Sequence, residues 1–170
     1  MDFSLLSSLI AGFLATVIMT LATELATLRG ATSMPSIPLL VGAVVSGDHD
    51  LAMAIGSLMH YVVIGTAVNG SIYALVFSLT GAGLNVALLL GMVHGALIGV
   101  GLGWLKGVHP RVVDRLAAAS GAAFSVDRGE IVFNDPGMFG VGWGDMTPAV
   151  VVGAYVVYSL VFALVYSLTV

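Results

Sequence analysis

Four apolar runs, each long enough to cross a lipid hydrocarbon core, leave this chain few ways to fold. A core of about 30 Å takes roughly 20 helical residues. The runs cover about 3–27, 51–80, 84–105 and 147–170, and the first is interrupted only by Glu24. Within hydrocarbon, every backbone N–H and C=O needs a partner inside the protein, and a helix supplies these segment by segment. The expected fold is therefore all-α. It is an integral membrane four-helix bundle, one transmembrane domain over 1–170, with short interfacial helices in the two longer connections. Charge points the same way. Residues are 59% hydrophobic and 8% charged, with mean hydropathy +1.10, whereas a water-soluble globule carries about a quarter charged residues. Such a surface has to face lipid.

The run ends carry helix punctuation. Gly30 suits the position just past the first helix, Asp48 and Asp50 stand where the second needs an N-cap, and Thr147-Pro148 reads as cap followed by first-turn proline. Met1-Asp2-Phe3 leads straight into the first run without a basic stretch, so that run is expected to stay as a helix rather than be cleaved as a leader. Gly81-Ala82-Gly83 makes a tight turn, which should leave helices two and three as antiparallel neighbours. After Met34-Pro35-Ser36-Ile37-Pro38, the stretch Leu39 to Val45 is too short to span and reads as interfacial or re-entrant. Between Lys106 and Met146, the amphipathic segment Arg111-Val112-Val113-Asp114-Arg115-Leu116 suits the membrane surface. Asp127 to Gly144 reads as an ordered loop cap. His109-Pro110 ends the third helix.

With four spans, the first and third connections share one side. All 5 Lys and Arg residues (Arg29, Lys106, Arg111, Arg115 and Arg128) lie there. The positive-inside rule puts those connections in the cytoplasm and both termini outside, as in a multi-pass protein of the cell membrane. Ala74 to Thr80 and Ala163 to Thr169 differ at one position only, Phe77 against Tyr166. Chance agreement within a small apolar alphabet and duplication of a helical hairpin both account for this, and duplication would give a parallel repeat.

The strongest internal pattern is a stripe of small residues. Ala87, Gly91, Gly95, Gly99 and Gly103 recur every four residues on helix three, which lets backbones approach closely where lipid gives no hydrophobic drive for association. Ser8, Gly12, Thr16 and Thr20 make a comparable line on helix one, and Thr66, Gly70, Ala74 and Ser78 on helix two. This glycine-zipper pattern should place helix three at the bundle centre, with Gly95 and Gly99 at helix–helix contacts.

Two histidines fall inside spans. By helix rise, His60 lies roughly 13 Å, and His94 roughly 16–18 Å, from the cytoplasmic ends of their helices. Thr16, Thr20, Tyr155 and Tyr158 fall in a similar band. Each histidine either bonds a hydroxyl or carbonyl across the bundle, or the two share a site for a proton, a metal or a haem; intramembrane imidazole suits all of these. The sequence identifies neither a metal nor a cofactor. Glu24 should reach the interface or pair with Arg29. Asp48-His49-Asp50 reads as a cap and a solvated loop, with divalent-ion binding as the alternative. Asn69 reads as an interhelical hydrogen-bonding residue.

The chain has 0 cysteines, which excludes disulfides, thiolate metal sites and cysteine nucleophiles. No nucleophile motif, phosphate loop or zinc-protease spacing occurs, so an enzyme reading has no positive support. Scattered acidic charge leaves no nucleic-acid footprint. Gly12-Phe13-Leu14-Ala15-Thr16-Val17-Ile18-Met19-Thr20 resembles the Gly-x-x-Ala-Thr-x-x-Met-Thr first helix of a family of small four-span bacterial and archaeal membrane proteins. His60 with Gly65 and Tyr73, Gly91-Met92-Val93-His94-Gly95, and Gly144-Asp145-Met146-Thr147-Pro148 resemble its later helices. The resemblance implies four spans and no assigned reaction. The family often carries a histidine early in its last helix, where this chain has Ala154.

Two functions fit these residues. One is a non-catalytic accessory or structural subunit of a membrane assembly, with the bilayer, other membrane subunits or further copies of itself as partners. The other is a small transporter, channel, or haem- or metal-binding bundle using His60 and His94. The topology is testable with single cysteines at Asp2 and Ser120 on intact cells. An impermeant thiol reagent should label position 2 and spare position 120, and the reverse would invert the orientation.

Overall fold

The computed structural model describes residues 2–114 and 123–170. Its helices are α1 (Leu5–Leu28), α2 (Ile37–Gly42), α3 (His49–Thr80), α4 (Leu84–Leu102), α5 (Leu105–Val108) and α6 (Thr147–Thr169). α1, α3, α4 and α6 are each long and apolar enough to cross a membrane. Their ends lie within a few residues of the expected spans. The middle of α3, Leu58–Asn69, is wound as a π-helix, and the Thr66 hydroxyl accordingly donates five residues back, to the Tyr61 carbonyl.

Local chemistry accounts for most helix ends. At the end of α1, Gly30 takes a left-handed φ of +73°. The Ala31 N–H then reaches back to the Ala26 carbonyl at 2.9 Å and the Gly30 N–H to Thr27 at 2.9 Å, satisfying carbonyls that the helix leaves open. Asp48 caps α3 by accepting from the Leu51 N–H at 2.8 Å. The start of α6 differs from expectation. Thr147 is already helical, and Met146 stands at the cap position without a side-chain bond. The reason is competition: the Thr147 hydroxyl is bonded to that of Thr32 at 2.7 Å, tying the two long connections together.

α6 makes the broadest contacts. α1 packs on α3 and α6, and α4 packs on α6. The termini meet at the far end, where the Ser4 N–H donates to the Tyr166 hydroxyl at 3.0 Å. Two expectations are corrected here. α4 is the least buried of the four long helices and α1 the most, so helix three is peripheral rather than central. α3 and α4 scarcely touch beyond their turn, because the small-residue faces of both point to other helices. Between α1, α3 and α6, Tyr73, Phe77, Tyr158, Phe162 and Tyr166 form an aromatic core, each at most 1% exposed.

The connections build a cap at the opposite end from the termini. α2 is the expected short helix, capped by Ser36, and it crosses the start of α3 where Gly42 meets Gly56. A Cβ on Gly42 would strike the Ala52 carbonyl, and one on Gly56 the Pro38 carbonyl. The third connection is not purely helix and loop. β1 (Val112–Val113), β2 (Phe124–Asp127) and β3 (Glu130–Asn134) form a sheet of order β1-β3-β2, with β2 and β3 antiparallel. The all-α expectation is thus amended by a small sheet outside the long helices. The segment 111–116 is not a surface helix where it is described, since Val112 and Val113 pair with Phe133 and Asn134. Arg115 and Leu116, like Ser120, lie outside the described residues.

His109 locks sheet to α2. Its Nδ1 accepts from the Arg111 N–H at 3.1 Å, so Nε2 carries the proton and donates to the Leu40 carbonyl at 3.0 Å. The Arg111 guanidinium donates to the Ala43 carbonyl, and its Nε lies 3.9 Å from Glu130. Burial of the ring lowers the His109 pKa below its usual value near 6.5. The Arg111 charge adds to this, and the Leu40 bond partly offsets it. A lowered folded pKa means the unfolded chain binds the proton first. The His109 contribution is therefore complete above about pH 6.5 and is lost as pH falls below it. Between pH 7 and 5 the thermal midpoint in detergent should drop more for wild type than for His109→Gln, and equal slopes would refute this.

Candidate functional site

The small residues expected at packing contacts lie mainly on two seams. On the first, Gly12 faces α3: a Cβ there would stand 3.0 Å from the Thr66 carbonyl oxygen and 3.1 Å from the Gly70 Cα. Thr16, fully buried, fits over Gly65, where any Cβ would collide with its side chain. On the second seam, a Cβ on Gly91 would sit 2.6 Å from the Val156 Cα, and one on Gly95 2.8 Å from the Val152 Cα, both on α6. The stripe then leaves the helix pair. Gly99 faces the ring of Phe139, and Gly103 faces Met138. Gly99 is therefore at a helix–connection contact rather than a helix–helix one. Phe139 holds a left-handed φ of +56°, uncommon for a bulky residue, and its ring fills the groove that Gly99 leaves open.

The histidines have different partners. The Thr20 hydroxyl donates its single proton to the Thr16 carbonyl at 2.8 Å, so it must accept from His60 Nε2 at 2.9 Å. This fixes the His60 tautomer and binds α3 to α1. His94 Nδ1 lies 3.0 Å from the Tyr73 hydroxyl, and its ring lies 4.2 Å from that of Tyr155. His60 and Tyr73 are on one helix, separated by roughly 15–20 Å of its length. The structure therefore does not bring His60 and His94 onto one site. Depth from each helix's own end does not bring them level, because the first turns of α3 belong to the cap. Tyr158 adds a third interhelical bond, donating to the Gly65 carbonyl at 2.7 Å. Tyr73, whose ring lies 4.9 Å from Tyr158, joins these groups.

Because α3 and α4 diverge, a laterally open cleft of about 220 Å³ lies between them. Asn69, Ile72 and Tyr73 form one wall, and Leu90, Val93, His94 and Leu97 the other. Asn69 and His94 lie roughly 15 Å from the ends of their helices at the Gly81–Gly83 turn, a depth near the middle of a 30 Å core. Asn69 makes no interhelical hydrogen bond, against expectation. Among the described residues neither its amide nor His94 Nε2 has a partner. A polar group left unpaired in hydrocarbon costs up to several kcal/mol. Two such groups, one from each helix, line this cleft.

The other candidates are ordinary. Glu24 is half-buried and makes no ion pair with Arg29. Asp48 is a helix cap, and His49 pairs with its neighbour Asp50 at 3.1 Å on the surface. Comparison with family models, with curated proteins and with solved structures gives no match to this chain.

The second seam has a built-in control. Gly95→Leu puts a side chain into the α6 backbone and should destabilise the protein by about 1–3 kcal/mol or more. Gly101 has open space at its Cβ, so Gly101→Leu should leave the thermal midpoint in detergent nearly unchanged. Equal effects would mean that the face bearing Gly95 does not pack.

Proposed function

We propose that this chain is a non-catalytic, multi-pass protein of the cell membrane, an accessory subunit that presents a binding cleft to the plane of the bilayer. Its termini lie outside and its cap in the cytoplasm, a reading supported by the one-sided Lys and Arg. The observation that carries this reading is the cleft between α3 and α4, with the unpaired Asn69 amide and His94 Nε2 on facing walls. The interhelical contacts His60 to Thr20 and Tyr158 to Gly65 are internal and serve to hold helices together. A shared haem or metal site, or a conduit using both histidines, would need them on one cavity. Here His60 turns to α1, and only His94 borders the cleft.

Photocrosslinking in intact membranes tests the reading. A photoreactive residue at Ile72, in the cleft, should give one discrete and saturable adduct. The same residue at Leu164, 61% exposed and away from the cleft, should give only diffuse lipid adducts. Identical diffuse products from both positions would show that the cleft holds nothing but bulk lipid.

A further inference from the structure

We infer that the cleft between α3 and α4 takes a ring-sized, lipid-borne molecule with an oxygen on each of two opposite edges, the chemistry of quinones and quinols. This rests on the cleft being a binding site, and it names the occupant. Size comes first. An apolar cavity of about 150 Å³ holds benzene, so 220 Å³ accommodates one substituted ring. A single turn of helix, about 10 Å across and 5.4 Å long, fills roughly 420 Å³. A partner's transmembrane helix could place side chains in this volume but not its backbone.

Chemistry selects among rings. The cleft opens sideways to lipid at mid-membrane depth, so its ligand arrives dissolved in the bilayer. Ile72, Leu90, Val93 and Leu97 supply apolar walls for a ring face and an alkyl tail. Asn69 on one wall offers an amide N–H. On the other, the Tyr73 hydroxyl is bonded to His94 Nδ1 at 3.0 Å; in the tautomer in which Tyr73 donates, Nε2 keeps the proton and is the donor on this wall. One donor on each wall matches a ring that carries an acceptor on each edge. The amide carbonyl of Asn69 can equally accept from the hydroxyl of a quinol. Tyr155, 4.2 Å from the His94 ring, and the Tyr73 bond together hold the imidazole in place, so the donor is pre-oriented before any ligand enters.

The probe is a decyl-chain benzoquinone titrated into the purified full-length protein in mild detergent, with decylbenzene as the oxygen-free control. Wild type should retain the quinone at least tenfold more tightly than decylbenzene, and Asn69→Leu should weaken the quinone by tenfold or more while leaving decylbenzene unchanged. Ile72→Trp, at a lipid-exposed position, fills the cleft without removing either donor and should abolish binding with the thermal midpoint intact. Equal affinity for the two probes, or quinone binding that survives both substitutions, overturns the inference. If the Ile72 photoadduct forms but the quinone does not compete for it, the ligand class is wrong and the cleft reading stands. A photoadduct to another protein has the same meaning. Loss of the photoadduct itself removes the cleft reading as well.

Discussion

Lipid offers helices no hydrophobic reason to associate, so this fold depends on how closely its backbones approach. That approach is set by hydrogen atoms where other residues have a Cβ. On the α1–α3 seam, Gly12, Gly65 and Gly70 remove the side chains that would hold the helices apart, and Thr16 fills the space over Gly65. On the α4–α6 seam, Gly91 and Gly95 do the same against Val152 and Val156. Dispersion over such close surfaces replaces the missing hydrophobic term, which is why a single methylene there is felt. The interhelical bonds to His60 and Tyr158 add direction to contacts that dispersion alone would leave free to slide.

The two seams also fix what the protein leaves open. α3 spends its small-residue face on α1, and α4 spends its own on α6. Helices joined by a three-residue turn are thereby drawn apart, each by its partner. The repeated segments fit this pairing: Ala74 and Ala163 are both buried, as are Phe77 and Tyr166 at the one differing position. The aromatic rings from α3 and α6 fill the middle of the bundle, and the space between α3 and α4 stays unfilled.

The spans were legible because a hydrocarbon core imposes a minimum apolar length that few other folds produce. The small-residue stripe was legible as a face, since spacing by four defines one side of a helix. Its partner was not, because four-residue spacing says nothing about which helix the face meets. Gly99 shows the limit: it continues the stripe on α4, yet it receives Phe139 from a connection that reads as featureless Gly and Asp. The same composition concealed β2 and β3, whose strands of four and five residues are too short for alternation to stand out. The crossing of α2 over α3 was hidden for a different reason. Gly42 and Gly56 are single glycines in separate elements, and only their meeting in space gives them meaning.

The histidines and Asn69 show why a candidate site needs geometry as well as residue type. From sequence, His60 and His94 have equal standing as intramembrane ionisable residues. Their partners divide them. The Thr20 hydroxyl has already committed its proton, so His60 is consumed in joining α1 to α3. His94 is held on one edge by Tyr73 and is left with a free edge toward lipid. Asn69 has no such bond at all, although an asparagine at this depth is ordinarily retained for one. An amide and an imidazole edge on facing walls, at the depth where water is scarcest, gain a partner when a polar, lipid-soluble molecule lies between them. The divergence of α3 from α4, forced by glycines elsewhere, is what gives that molecule room.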